Sequence, residues 1–203
     1  MSSISLDLNG YTDVPDTKIA VVVTYLEMLS RPDLADRRTP DGVTLERWQS
    51  PDPEDYRRLF RSIGDEWLWF GRLVMDRADL AEILRQSTRE IFVAVREGKQ
   101  LGLLEIDYSD PANPELAYFG LVPDAIGGGM GGWLMKAGID MVWSRPETQR
   151  FWVHTCTGDS PQALGFYRAV GFKPYKRAIE VADDPRLLGV LEDHLGPHLP
   201  KLA

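Results

Sequence analysis

Gly127-Gly128-Gly129-Met130-Gly131-Gly132 puts five glycines into six residues, directly ahead of the apolar run Trp133–Trp143. Glycines in that density do not fill a core. They bare backbone N–H groups at the mouth of a helix, whose N-terminus carries about +0.5 elementary charge, and together these hold phosphate without a basic side chain. The chemistry implied is capture of a phosphorylated small molecule. Two common phosphate loops fit poorly. A Gly-x-x-x-x-Gly-Lys-Ser/Thr loop needs a lysine directly after its last glycine, and Lys136 lies inside the helix. Gly127, Gly129 and Gly132 satisfy Gly-x-Gly-x-x-Gly literally. However, Pro123-Asp124-Ala125-Ile126 separates them from the preceding strand, and no acidic residue closes the next strand, Phe151–Cys156.

Other reactive side chains are few. Cys156 is the single cysteine, which excludes an internal disulfide and a cysteine-based zinc site. It has no triad signature beside it and reads as core. His154 titrates in the useful range in principle, but a lone histidine on a strand is ordinarily a packed, hydrogen-bonded residue. Trp67, Trp69 and Phe70 crowd together beside Arg72. They would enclose a cation or an apolar molecule, or else serve as core or as a dimer contact. Arg72 would pair with a bound carboxylate, or with Asp65 or Glu66.

The elements that must position these groups follow from periodicity. Lys18–Met28 is rich in β-branched residues and reads as a strand, and Arg31–Gly42, with Pro32, Pro40 and Gly42, as a linker. Val43–Trp48 is a second strand, and Glu54–Ile63 a helix with Tyr56, Leu59, Phe60 and Ile63 on one face. Asp76–Gln86 is a second helix. Ile91–Arg96 and Leu101–Asp107 form a hairpin across Glu97–Gln100, followed by the strand Leu116–Val122. After the glycines come the helix Trp133–Trp143, the strand Phe151–Cys156, the helix Pro161–Val170 stopped by Gly171, and the strand Phe172–Val181. Asp184–Leu195 is expected to form a short terminal helix. The order is α+β rather than a repeated βαβ chain.

Composition bounds the rest. With 203 residues, 43% of them apolar, the chain is one soluble domain able to bury a core. A net charge of −8 argues against nucleic acid as partner and is compatible with a cationic acceptor. No signal-peptide pattern or membrane-length apolar run is present, so a cytoplasmic protein without membrane contact is expected.

Two motifs together give a resemblance. Leu121-Val122-Pro123 leading to Gly129-Met130-Gly131 resembles motif A of the GNAT N-acetyltransferase superfamily, which runs Arg/Gln-x-x-Gly-x-Gly/Ala after a strand. Ala163-Leu164-Gly165-Phe166-Tyr167-Arg168-Ala169-Val170-Gly171-Phe172 resembles motif B, Ala-x-x-x-Tyr-x-x-x-Gly-Phe. The resemblance covers residues 43–181. Residues 1–42 are then an N-terminal extension with an extra strand, which either extends the sheet or mediates dimerisation, and 182–203 are a C-terminal tail. The family's leading Arg/Gln falls on Ile126.

The resemblance implies a mixed, mostly antiparallel sheet with helices on both faces and strands splayed at the cofactor site. It implies acetyl-CoA as cosubstrate and no metal. The cofactor would be bound by Leu121, Val122, Gly127, Gly128, Gly129, Met130, Gly131, Gly132 and Ser160, with Val122 or a neighbour supplying an N–H to the thioester carbonyl. Ser160 would alternatively cap its helix with Asp159. Tyr167 becomes the acid at the departing thiolate and Glu115 the base, with Glu105, His154 and Tyr118 as fallbacks. Trp67, Trp69, Arg72 and Tyr118 would line the acceptor site. The expected reaction is acyl transfer to a small-molecule or peptide amine, and a homodimer is allowed for. A non-catalytic acyl-CoA sensor of the same fold is the alternative. A nucleotide-dependent oxidoreductase is a third reading.

Overall fold

The computed structural model describes residues 5–202. Seven strands form one sheet: β1 (Lys18–Met28), β2 (Val43–Arg47), β3 (Arg89–Arg96), β4 (Lys99–Asp107), β5 (Glu115–Leu121), β6 (Phe151–Cys156) and β7 (Lys173–Asp183). Their order across the sheet is β2-β3-β4-β5-β6-β1-β7. Every pairing is antiparallel except β5 with β6. The turn joining β3 to β4 uses Glu97 and Gly98, both at positive φ (50° and 75°), the backbone that a two-residue hairpin needs. β1 lies between β6 and β7, with register Tyr25↔His154 on one side and Tyr25↔Lys176 on the other.

Four helices cover the two faces. On the front, α1 (Pro53–Gly64) and α2 (Arg77–Arg85) are each started by an aspartate: Asp52 accepts from Glu54 N and Asp76 from Ala78 N, both at 2.8 Å. Tyr56, Leu59, Phe60 and Ile63 of α1 repeat at helical spacing and bury against Leu80 and Leu84 of α2 and Ile91, Val93 and Leu103 of the sheet. On the back, α3 (Met130–Trp143) and α4 (Ala163–Ala169) carry Leu134, Met135, Ile139, Val142 and Tyr167 onto Leu104, Ile106, Leu116, Phe151 and Val153. The mixed, mostly antiparallel sheet with helices on both faces is thus the fold expected.

The terminal helix expected over 184–195 does not form. Gly189 (φ 67°) stops the run after one turn, and the Asp184 carboxylate takes three bonds from Arg186, from its N, Nε and Nη2, at 2.9, 2.9 and 2.7 Å. The Arg186 guanidinium then donates to the carbonyls of Leu195 and Gly196, so the tail winds around a buried arginine as successive turns. Leu191 and Leu195 are still buried, against Ile19 and Leu68.

Candidate active site

Two irregularities of β5 open the sheet. Ile106 pairs with Leu116 and Glu105 with Tyr118, so Ala117 is an extra residue, a β-bulge. On the other side β5 aligns with β6 only at Glu115↔Trp152. Beyond that point the two strands diverge toward Leu121 and Cys156 and leave a wedge with its apex at Glu115.

Alternation decides which backbone groups face the wedge. Val122 N–H donates to Leu101 O at 3.0 Å, which makes that antiparallel pair hydrogen-bonded. Gly120 and Leu103 form the next bonded pair, so the N–H and C=O of Phe119 and Leu121 point away from β4 and toward β6. This corrects the expectation for Val122, whose amide is committed to β4; the free donors are one residue to either side of Gly120. Gly120 itself has no room for a side chain, because a Cβ would lie 2.3 Å from Ile63 Cγ2 and 3.2 Å from the Trp69 ring.

The glycine loop lies past the open end of the wedge. Gly127, Gly128 and Gly129 have φ of 102°, 55° and 82°, and a Cβ built on any of them would meet nothing within 4 Å. The loop is therefore an open cradle of left-handed backbone, shaped by conformation rather than by crowding. Gly129 caps α3, and Met130, Gly131 and Gly132 form the helix's first turn. Phe166 stacks on Phe119 (5.5 Å, 16°) and lies 3.7 Å from the Cβ position of Gly131. Between the wedge and the loop the back of the sheet thus carries the stacked pair Phe119 and Phe166. Tyr167, next to Phe166, sits in the back core with its phenol held protonated by burial and by the charge of Asp159. Ser160 bonds Gln162, through Oγ···Oε1 at 2.6 Å. Asp159 does not cap α4: its carboxylate turns back to accept from Thr155 Oγ1 (2.6 Å), Cys156 N (2.8 Å) and Trp69 Nε1 (3.2 Å).

At the apex, Glu115 faces the front. Asp107 stands directly across on β4, and His154 Nε2 lies 3.6 Å from the Glu115 Oε1. Burial, reinforced by the charge of Asp107, pushes its carboxyl up to about 7. It opens onto a cavity of about 400 Å³ that Asp107, Asp110, Tyr25, Trp152, Tyr175 and Lys176 help to line.

The expected acceptor residues divide. Trp69, Arg72 and Tyr118 come together: Trp69 and Tyr118 lie 5.5 Å apart and Arg72 sits 5.1 Å over the Tyr118 ring. Trp67 stands elsewhere, against His198 and a small void of about 40 Å³ beside Cys156. Arg72 pairs with neither Asp65 nor Glu66 but with Glu105, at 2.7 Å. That carboxylate is fully buried and also accepts from Arg89 (2.6 Å) and Tyr56. Glu105 is therefore saturated by three donors, a frame for the site rather than a proton acceptor. Burial raises the Cys156 thiol to about 11, which suits core rather than a nucleophile.

A bulged strand parting from its parallel neighbour beside a glycine-started helix is the arrangement that the two-motif resemblance implies. The family model of the acetyltransferase (GNAT) family matches residues 44–172. The chain belongs to that family. No curated protein matches the sequence. Among solved structures it is similar to a tandem GNAT protein from the clavulanic acid biosynthesis pathway, with 20% identity, a TM-score of 0.57, and coverage of 89% of this chain and 62% of that one. It is also similar to an aminoglycoside acetyltransferase from an uncultured soil metagenomic sample (21%, TM-score 0.52, 64% and 88%). A GCN5-related N-acetyltransferase from Sphaerobacter thermophilus matches at 14%, TM-score 0.56, over 81% and 52%. The chain thus spans less than two thirds of the tandem and Sphaerobacter proteins. Among the described residues no helix is long and apolar enough to cross a membrane.

Proposed function

We propose that this protein moves an acetyl or other short acyl group from acyl-CoA to a primary amine by direct attack. The observation that carries the reading is the position of Glu115: at the apex of the wedge, tuned near neutrality, and open to the 400 Å³ chamber. The diphosphate would rest on the amides of the loop 127–132, the pantetheine arm would follow the wedge, and its thioester would arrive beside the bulge at Ala117. The acceptor enters the chamber as an ammonium ion on the side of Asp107 and Asp110, because Arg150 and Lys176 already lie over the Tyr175 and Tyr25 rings. Glu115 takes its proton, directly or through one water. The neutral nitrogen attacks the carbonyl carbon, and a wedge-facing N–H of Phe119 or Leu121 stabilises the oxyanion. Collapse breaks the C–S bond. Tyr167 hydrogen-bonds the departing sulfur; because burial strengthens its hold on the proton, the phenol stabilises the thiolate without surrendering that proton. The second proton of the acylated nitrogen passes to the thiolate, which leaves as the CoA thiol, and Glu115 returns the first proton to solvent.

A thiol-release assay with acetyl-CoA and a panel of polyamine, aminoglycoside, amino-acid and peptide amines tests the reading. Thiol release that depends on one class of amine is the expected result. Tight CoA binding by calorimetry with no release across the panel would favour the sensor alternative, and no CoA binding would overturn both.

A further inference from the structure

The diphosphate site proposed above lacks its usual side chain, since Ile126, two-thirds exposed, stands where the family has Arg or Gln. The replacement comes from outside the family-matched region. A Cβ built on Gly132 would lie 2.6 Å from both Cζ and Nη1 of Arg37 and 2.8 Å from its Nε. The guanidinium is laid flat on the first turn of α3, on a surface that exists because residue 132 has no side chain. We propose that Arg37 is the cation of the diphosphate site, bridging phosphate oxygens above the loop amides. This inference rests on the reading of the loop as the acyl-CoA site.

The segment carrying Arg37 is held in register along α3. Arg31 Nη2 bonds Asp140 Oδ1 at 2.8 Å, Asp36 Oδ1 lies 3.5 Å from Lys136 Nζ, and Arg37 reaches Gly132. Residues 132, 136 and 140 are one helical turn apart on a single stripe, about 12 Å long at 1.5 Å per residue. Leu34, between the outer two contacts, packs against the back core, and Pro32 closes on Gly171. The strap therefore runs from the last turn of α3 to its first and delivers one side chain there.

The charges agree with that delivery. Arg31 and Arg38 are neutralised by Asp140 and Asp41, each at 2.8 Å, and Lys136 by Asp140 at 2.7 Å. Arg37 has no carboxylate within ion-pair distance among the described residues. An unpaired, exposed guanidinium next to open loop amides, in a chain of net charge −8, is a fork matched to phosphate.

Calorimetry on the full chain tests this with three probes: CoA, dephospho-CoA and pantetheine. Arg37→Gln is expected to weaken CoA and dephospho-CoA about 5- to 15-fold and to leave pantetheine, which has no phosphate, unchanged. It should also lower the salt dependence of CoA binding. Ile126→Arg added to Arg37→Gln is expected to restore most of the lost affinity by returning the cation to the family's own position. Unchanged CoA affinity in Arg37→Gln overturns the proposal, as does a loss shared equally by pantetheine, which would mark a structural role. A loss seen with CoA but not with dephospho-CoA would move Arg37 to the 3′-phosphate and overturn the diphosphate assignment. A folded wild-type chain that binds none of the probes would instead remove the acyl-CoA reading itself.

Discussion

Glu115→Gln separates a catalytic carboxylate from a merely placed one, because the same substitution should raise stability and abolish turnover. Burial and the Asp107 charge lift the Glu115 carboxyl from 4.5 to about 7. At 1.36 kcal/mol for each tenfold change in acidity, ionising it in the folded protein costs about 3 kcal/mol more than in the unfolded chain. Its side chain is 25% exposed, and partial solvation trims that to about 2 kcal/mol. The folded state holds this proton more tightly, so stability is full below pH 4.5 and is lost as pH rises through 7. Glutamine carries no such penalty. At pH 8.5 the variant should therefore melt roughly 4–8 °C higher than wild type, at 2–4 °C per kcal/mol for a domain of this size. At pH 5 the difference should shrink to less than about 1 kcal/mol. In the thiol-release assay, kcat/KM of the wild type should fall on the acid side with a midpoint near 7. The variant should lose that limb and about 10²–10⁴ in rate. Equal melting temperatures at pH 8.5 would refute the electrostatic argument; an acid limb surviving in Glu115→Gln would refute the assignment of the base.

Tyr167→Phe keeps the ring packed on Phe166 and Phe172, so KM for acetyl-CoA and the urea midpoint should hold while kcat falls about 10- to 100-fold. An unaltered kcat would remove the phenol from the mechanism. Glu105→Gln leaves Arg72 and Arg89 charged and underpaired in a buried site, and urea unfolding should show a loss of about 3–5 kcal/mol. A loss under about 1 kcal/mol would mean that water reaches the cluster and that Glu105 does not frame the site.

Local pattern made much of the fold legible. Lys18–Met28 alternates buried and open positions along most of its length, and α1 repeats its apolar residues at three and four, so periodicity alone bounds both. The glycine loop was legible for a related reason: three consecutive left-handed residues need glycine whatever surrounds them. What failed were readings that depend on a distant partner. Arg72 has acidic residues at 65 and 66 as sequence neighbours, yet the sheet brings it Glu105 instead. Val122 belongs to the expected motif, but the parity of the β4–β5 ladder turns its amide away from the wedge. Asp184 reads as a helix start, but the Arg186 guanidinium that it orients bonds the carbonyls of Leu195 and Gly196, further along the chain, and folds the tail into turns.

The same distinction explains why the first 42 residues carried no recognisable chemistry. The contribution of residues 18–37 is placement. β7 pairs in the sheet with β1 alone among the described residues, and β1 also binds β6, so a strand from before the family-matched region connects the last strand to the rest. From β1 the chain crosses to α3, where Arg31, Leu34 and Asp36 fix its path before it returns as β2 at the far edge. The segment joining these two strands crosses the back of the sheet over α3. Its composition of prolines, aspartates and arginines then resolves into a sequence of contacts, with the one unpaired arginine falling at the helix N-terminus. The glycine loop and the strap are complementary in that sense: an apolar Ile126 in the motif is tolerable where another part of the chain already brings a positive charge to the same turn.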